Sequence, residues 1–375
     1  MKIAIHNAQF SSHVGGTERL IYYQIKNLLN IPGVKITLIT KKTNNPSIFF
    51  KEIKHISNGN LRIIELKTKN MTNNYNSNNP LKWHIESLEF GLCTNQIYQK
   101  EKFDLVITHF STDSIFIPLN QKNILHLHGV PSTYSEMGEI STKRPDYFIA
   151  VSKYVRNNWL KLYPSIKKEK IEVIYPGIES DKFIRKDVQK SFDVLFVGRF
   201  ISIKGINDLI DAISLIKIPL KICLVGTGPE RRNIIKKILK LNLNDKFSIV
   251  SNINDNSLIN FYNAAKITVF PSYAKEGVLL TMLEAASCGC AIITSNSCSM
   301  PEFLKNNRNG LLFKPKDPKD LASKIIKLLL DDRLRLSLGK NAEKDIRNKW
   351  DNKIRIKELI NKYYKFWRKN ARSTF

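Results

Sequence analysis

Residues 270–290 read FPSYAKEGVLLTMLEAASCGC. An apolar run, KITV, leads into them and predicts a strand over KITVFPS. The segment LLTMLEAASC then has the composition of a helix. Glu276 lies in the turn between the two, and Glu284 lies eight positions on, inside the helix. A strand, a turn and a helix N-terminus make a ready site for an anionic ligand, because the first N–H groups of the helix have no partner within it. The two carboxylates cannot bind phosphate. They suit hydroxyls, such as those of a ribose and a hexose, so the stretch suggests a site for a sugar nucleotide.

The same strand-to-helix alternation runs through the whole chain and predicts parallel sheets with crossover helices. In the first half, IAIHN, VKITLIT, LRIIEL, FDLVITH, KNILHLH, DYFIAVS and IEVIY read as strands. TERLIYYQIKNLLN, residues 81–100 and KYVRNNWLKLY read as helices. In the second half, DVLFVG, LKICLVG, FSIV, ITVFP, AIITS and GLLF read as strands. Helices intervene at GINDLIDAISLI, ERRNIIKKILKL, the Glu284 segment and DLASKIIKLLL. This predicts two open α/β domains in series, with ligands beyond the carboxyl ends of the strands. PGIESDKFIRKDVQKS is polar and turn-rich, which places the boundary between 176 and 191. The first domain is expected over 1–180 and the second over 187–349. The aromatic, helically spaced segment 350–375 is expected to complete the first. The Asn-rich run 70–80 reads as a loop. Its NMT triplet matches a glycosylation acceptor that means little in the cytosol.

Length and composition agree. A chain of 375 residues holds about two domains of ordinary size, and its 42% hydrophobic and 25% charged residues are those of a globular protein. No apolar run reaches the roughly 18 residues that span a bilayer. The apolar run of MKIAIHNAQF is too short for a signal peptide. Both facts imply a cytosolic protein. Five scattered cysteines argue against a disulfide framework. The CGC cluster with Cys298 fits no common zinc spacing, so buried free thiols are expected. The net charge of +27 has a bland source in the joint abundance of Lys, Ile and Asn. It nevertheless attracts anions, among them nucleotides and anionic lipid headgroups on the inner face of a membrane. Helices such as KYVRNNWLKLY mix basic and aromatic residues as interfacial helices do, or as a solvated face over a core stripe does. Nucleic acid is the remote alternative, since no helix-turn-helix, zinc-finger or RNA-binding signature appears.

Three further motifs bear on chemistry. In HVGGTERL, Gly15 and Gly16 let the backbone approach a ligand at a helix start, or serve only a steric need of the turn. In residues 197–205, VGRFISIKG, a strand ends at Gly198 and the cations Arg199 and Lys204 follow. Their position at a strand's carboxyl end favours a diphosphate site over a solvated loop. GTGP, from Gly226, reads first as a tight turn and second as room for a nucleoside.

Taken in order, GGTE, YPGI at 175–178, VGRFISIKG, GTGP, PSYAKEGVLLTMLEAASCG and PEFLKNNRNGLLF closely resemble the retaining glycosyltransferases of family 4. These have the GT-B fold: two Rossmann-like domains facing across a cleft, with a C-terminal helix crossing back to the N-terminal domain. The resemblance is strongest over 173–318 and weak over 41–104, where acceptor binding diverges. It implies that Arg199 and Lys204 neutralise the donor diphosphate. It implies that Glu284 bonds the ribose and that Glu276 faces the transferred hexose. His128, in HLHGVP, matches a histidine near the donor sugar, with His126 the competing candidate on the same side of the strand. A hydrogen-bonded core role is the alternative for either. The implied donor-binding set is Gly15, Gly16, Gly198, Gly226, Ile253, Gly277, Val278, Leu279, Leu280 and Glu284, with base recognition around Ile253. The chain departs from the family at Leu279, which replaces the second glycine of an EGFG pattern. That substitution bears on the donor hexose and on the efficiency of transfer.

The function implied is retaining transfer of a hexose from a UDP- or GDP-linked sugar to a hydroxyl of a glycan or lipid-linked acceptor, in polysaccharide or glycolipid synthesis. No D-x-D triplet occurs in the sequence, so neither metal nor other cofactor is expected. A sugar-nucleotide epimerase or a phosphorylase on the same scaffold is the alternative.

Overall fold

The structure, a computed structural model, describes residues 1–56, 59–68, 80–131, 135–251 and 253–371. The Asn-rich run and its NMT triplet lie outside these residues, except Pro80, which opens the helix Pro80–Lys100. The chain divides into two compact units. The first is Met1–Pro176 with Arg355–Phe375, and the second is Gly177–Ile354.

Each unit is built on one parallel sheet. The first holds β1 (Lys2–His6), β2 (Lys35–Lys41), β3 (Leu61–Leu66), β4 (Leu105–Thr108), β5 (Asn123–Leu127), β6 (Tyr147–Ala150) and β7 (Ile171–Val173). The order across it is β3-β2-β1-β4-β5-β6-β7. The second holds β8 (Phe192–Val197), β9 (Ile222–Val225), β10 (Phe247–Val250), β11 (Ala265–Phe270), β12 (Ala291–Ser295) and β13 (Leu311–Phe313), in the order β10-β9-β8-β11-β12-β13. All pairs are parallel; β1 sets Ile3 against Ile36 on one side and Leu105 on the other. Every residue of β4, β5, β9 and β12 is buried. Such continuous burial marks strands covered on both faces, which explains why they read as unbroken apolar runs.

Helices cover the sheets through apolar stripes. Gly16–Leu29 buries Ile21, Ile25, Leu28 and Leu29, and Ile206–Ser214 buries Ile206, Leu209, Ile210 and Ile213. Both sets follow the helical period. Truncating one of these, such as Leu209→Ala, is expected to cost about 2–5 kcal/mol. The helix Lys153–Leu162 starts on Ser152, whose Oγ accepts from Val155 N at 3.2 Å. Its Val155 and Trp159 face inward, and Trp159 Nε1 donates to Gly129 O at 2.8 Å. The basic and aromatic pattern there thus includes a core stripe under a solvated face.

The polar stretch that follows Pro176 is anchored to the second unit. Ile178 N donates to Trp350 O at 3.0 Å and Asn352 N to Ile178 O at 2.7 Å. Phe183 is fully buried against Tyr262, and Lys186 N donates to Asn263 Oδ1 at 2.6 Å. The last helix, Asn352–Ala371, belongs to the first unit from Arg355 on. Its Tyr363 is fully buried, and Leu359, Ile360 and Phe366 pack on the same core as Ile3, Ile5 and Ile25. The five cysteines are free; Cys223, Cys288 and Cys290 are buried. Among the described residues, no helix is long and apolar enough to cross a membrane.

In each sheet the chain order reverses once, between β1 and β4 and between β8 and β11. A crevice opens at such a switch point beyond the carboxyl ends of the strands. The loops that leave these four strands carry most of the residues singled out by sequence.

Candidate functional site

In the second unit, β8 ends at Val197 and leads into Gly198 and Arg199. Arg199 is exposed. This turn lies beside the one that follows β9. Phe200 N donates to Thr227 O at 2.8 Å, and Gly226 has φ +150°, with an added Cβ only 1.9 Å from Gly198 O. The first glycine of GTGP thus exists because two backbones touch there; any side chain would force them apart.

The next turn, Ser202–Lys204, ends on Gly205, a left-handed residue (φ +70°) whose missing Cβ would lie 2.2 Å from Pro271 O. The loop after β11 is tied to the same turn. Tyr273 N donates to Ile203 O at 3.1 Å, and Tyr273 Oη to Ser202 O at 2.9 Å. These contacts bring Lys204 to Glu276. The ammonium donates to both carboxylate oxygens, at 2.5 and 2.7 Å. Lys204 is 9% exposed and the Glu276 side chain 26%, so the pair is shielded mainly on the lysine side and is stronger than a fully exposed ion pair. Ser299 Oγ donates to Glu276 O at 3.1 Å and fixes the loop further.

After Glu276 come Gly277, which is buried, and Val278, which is partly exposed. Leu279 then caps the helix Leu280–Ser287 with an ordinary extended backbone (φ −95°, ψ 98°). Leu279 and Leu280 are both buried. The residue that departs from the family pattern therefore sits in the interior without backbone strain. Met282 N donates to Leu279 O at 3.0 Å. The earlier N–H groups of the helix are those a helix leaves for an outside acceptor. Glu284, one turn on, is 1% exposed, and its Oε2 accepts from Tyr262 Oη at 3.1 Å. Ile253, partly buried, follows β10 and directly precedes Asn254, whose side chain accepts from Ser257 N to start the helix Asp255–Ala264.

In the first unit, Gly15 and Gly16 open the helix Gly16–Leu29 at the end of the loop that leaves β1. Gly15 has an extended backbone (φ −154°) that any residue adopts, so conformation alone does not require it. His126 lies in β5 and His128 just beyond it, with His109 at the end of the neighbouring β4. The three ring centroids lie 4.8–6.1 Å apart, with His128 stacked on both of the others. His109 Nδ1 and His128 Nε2 hydrogen-bond at 2.9 Å, and His109 Nε2 meets Gln24 Oε1 at 3.1 Å. Tyr363 Oη meets His126 Nε2 at 2.7 Å and also bonds Gln24 Nε2. Burial, reinforced by the neighbouring histidines, holds His109 and His126 well below the usual imidazole pKa, and burial alone lowers His128 to about 4. All three are neutral at pH 7. The three residues offer one ring nitrogen each within 4.8 Å of one another, close enough for a metal ion.

Both strand-end histidines of HLH thus belong to one cluster, His126 engaged by the C-terminal helix and His128 by His109. Sequence reasoning missed His109, Gln24 and Tyr363. His109 carried a usable signal, since VITH ends a strand just as HLH does. Gln24 and Tyr363 lie on helices whose periodicity marks only a core face.

Comparison with known proteins follows the two-unit division. The Glycosyltransferase Family 4 model matches residues 14–182, and the Glycosyl transferases group 1 model matches 177–345. An uncharacterized glycosyltransferase of Methanocaldococcus jannaschii is 25% identical over 96% of this chain and 97% of its own length. The N,N'-diacetylbacillosaminyl-diphospho-undecaprenol alpha-1,3-N-acetylgalactosaminyltransferase of Campylobacter jejuni is 32% identical over 52% of this chain and 49% of its own. Among solved structures, Anabaena HepE in complex with UDP superposes with a TM-score of 0.79 over 97% of this chain and 100% of its own, at 17% identity. Two doubly wound sheets, a cation and a carboxylate joined at the switch point of the second, and family models that meet at the division between the units lead to one conclusion: the chain belongs to the family 4, group 1 glycosyltransferases and has the GT-B fold.

Proposed function

We propose that the chain transfers a hexose from a nucleotide-diphosphate sugar to a hydroxyl of a glycan or lipid-linked acceptor, with retention at the anomeric carbon and without a metal. The observation that carries this reading is the shielded Lys204–Glu276 pair, built at the switch point of the second sheet by the Gly205–Pro271 contact. Arg199, exposed on the same loop, adds a second cation. The two cations would stabilise the diphosphate as negative charge grows on it. A diphosphate competes with Glu276 for the Lys204 ammonium. Its arrival would turn the Glu276 oxygens toward the hydroxyls of the hexose. Glu284, held by Tyr262, is assigned to the ribose, and the free N–H groups at the start of Leu280–Ser287 to a donor oxygen.

The transition state of such a transfer has oxocarbenium character. No enzyme nucleophile is needed if the acceptor attacks from the face that the diphosphate leaves, with the diphosphate taking the acceptor proton. His128, neutral at pH 7, is assigned to a hydroxyl of the donor sugar. Two comparisons support the substrate class: HepE was solved with UDP, and the name of the Campylobacter relative specifies a diphospho-undecaprenol-linked acceptor. A UDP-sugar and a lipid-linked glycan are therefore the first pair to assay. The net charge of +27 supports peripheral attachment to an anionic membrane; failure to bind anionic vesicles at low salt removes that part of the reading.

The test is turnover by the full chain with UDP- and GDP-sugars and a lipid-linked acceptor, with the anomeric configuration of the product read by NMR. A product of inverted configuration contradicts retention. A donor epimer formed without acceptor replaces transfer with the epimerase alternative.

A further inference from the structure

The histidine cluster of the first unit is wired in one direction. Gln24 Nε2 donates to Tyr363 Oη, so the tyrosine proton goes to His126 Nε2 at 2.7 Å. Gln24 Oε1 accepts from His109 Nε2 at 3.1 Å. A neutral His109 protonated at Nε2 has a bare Nδ1, which accepts from His128 Nε2 at 2.9 Å. His128 is then left with a bare Nδ1. The chain of donors runs His128, His109, Gln24, Tyr363, His126. Gln24 is 2% exposed, Tyr363 fully buried, and His109 and His126 each 6% exposed. Only His128, at the open end, is partly exposed; the four members behind it are shielded from water, so reversing one of their bonds reverses the others. Turning the Gln24 amide by half a turn would invert the series and put a proton on His128 Nδ1.

We propose that Gln24 and Tyr363 are positioning residues for the transfer reaction: the Gln24 amide, oriented by the Tyr363 hydroxyl, fixes His128 in the tautomer protonated at Nε2 and presents its Nδ1 as an acceptor for a substrate hydroxyl. The inference rests on the assignment of His128 to the donor sugar. It gives the C-terminal helix a chemical role in addition to its packing. It also decides between two uses of the three imidazoles. A metal would take a lone pair from each ring, and those of His109 Nδ1 and His126 Nε2 already accept from His128 and Tyr363. His109 Nδ1 and His128 Nε2 instead share one proton, and neutral partners supply every other bond. The cluster is built as a hydrogen-bond relay.

The experiment is long-range proton–nitrogen NMR of the full chain labelled with ¹⁵N-histidine, which reads the tautomer of each ring without substrate. The wild-type spectrum is expected to show His128 protonated at Nε2 and bare at Nδ1. Gln24→Leu removes the director, and Tyr363→Phe lets the amide turn; in both, His128 is expected to populate the Nδ1-protonated form. With the donor that wild type uses, kcat is expected to fall by about tenfold while donor KM changes by less than about twofold, as for loss of orientation rather than of binding. Should Gln24→Leu not fold, Tyr363→Phe, which deletes a single oxygen, carries the test. A wild-type His128 protonated at Nδ1, or an unchanged tautomer in both variants, overturns the proposal. So does an altered tautomer with unchanged kcat. Stoichiometric zinc on the three rings of the purified protein would replace the relay by a metal site. Wild type with the expected tautomer but no transfer from any nucleotide sugar would instead bring down the assignment of function on which the role in transfer depends.

Discussion

The two units support their candidate residues by different means. In the second, backbone does the positioning: two glycine contacts bring loops together, and Lys204 and Glu276 follow. The charged groups there need no particular tautomer. In the first, side chains position one another through buried, neutral, titratable groups. All seven histidines of the chain precede residue 129. Besides the relay, His6 Nδ1 bonds Tyr98 Oη at 3.0 Å, and its Nε2 lies 3.9 Å from Asp113 Oδ2, both side chains fully buried. Burial lowers His6 to about 3 and raises Asp113 to about 7. The same unit also buries one ion pair, between Lys41 and Glu86. The second unit should therefore be sensitive to steric change and the first to pH.

The sharpest break is expected at the ion pair. Lys204→Ala should lower kcat by about 10²–10³, as loss of one preorganised group at a developing charge does. The fold of both units should survive by circular dichroism. Full activity in this variant would remove the second unit's claim to the diphosphate.

Gly226→Ala is the steric counterpart. Its Cβ collides with Gly198 O, and φ +150° is itself unfavourable for a side chain, so about 1–3 kcal/mol or more of stability should go. At about 2–4 °C per kcal/mol for a unit of this size, the melting of the second unit should drop by several degrees. Hydrogen exchange should place the loss in β8 and β9 and spare β4 and β5. Equal loss in both units would mean that stability is not partitioned as the two cores suggest.

Acidification is the counterpart for the first unit. An imidazole held below its usual pKa of 6.5 takes up a proton in the unfolded chain but not in the folded one, at any pH between those two values. His6, His109, His126 and His128 therefore each favour unfolding as pH falls below about 6.5, down to about 4 for His128 and about 3 for His6. Asp113 has the opposite sign. Its raised carboxyl is protonated when folded and ionised when unfolded between about pH 4 and 7, so its contribution grows as pH falls. Four histidines outweigh one aspartate. Protection of β4 and β5 amides, corrected for intrinsic exchange rates, should decline between pH 6.5 and 4 more than that of β8 and β11. The reverse order would contradict the comparison.

The smallest of these effects is expected from Glu284→Gln. The amide can still accept from Tyr262, so stability should change by less than about 1 kcal/mol, while donor KM rises. Glu284→Ala leaves the buried tyrosine hydroxyl short of this partner and should cost about 1–3 kcal/mol. Equal stability of the two variants would show that the Tyr262 bond carries no weight.

What the sequence revealed follows the same division. The thirteen strands among the described residues stand out as apolar runs, most plainly those buried on both faces, which leave no alternation to misread. Long helices with a buried stripe are equally plain. Several helices escape periodicity: Ile48–Lys54, Glu136–Thr142, Asp255–Ala264, Met300–Phe303 and Asp332–Asp345. They are short or polar. Four of them nevertheless carry a legible start, since Ser47, Ser135, Asn254 and Asp331 each accept from the N–H three residues on. The second unit's candidate residues are visible because charge and glycine at a strand end are local signals. The first unit's relay joins residues up to 339 positions apart, as Gln24 and Tyr363 are. Each looks like an ordinary core position by itself, and only the folded sheet brings them together.

The central claim is that the second unit binds a nucleotide-diphosphate sugar through Lys204 and Arg199 rather than through a metal. Calorimetry of wild type and Lys204→Ala with UDP- and GDP-sugars, with and without EDTA, tests it most directly. The account predicts binding of one nucleotide class by wild type, unchanged by EDTA and weakened at least tenfold, about 1.4 kcal/mol, in Lys204→Ala. Binding that EDTA abolishes, or that Lys204→Ala leaves intact, would contradict it.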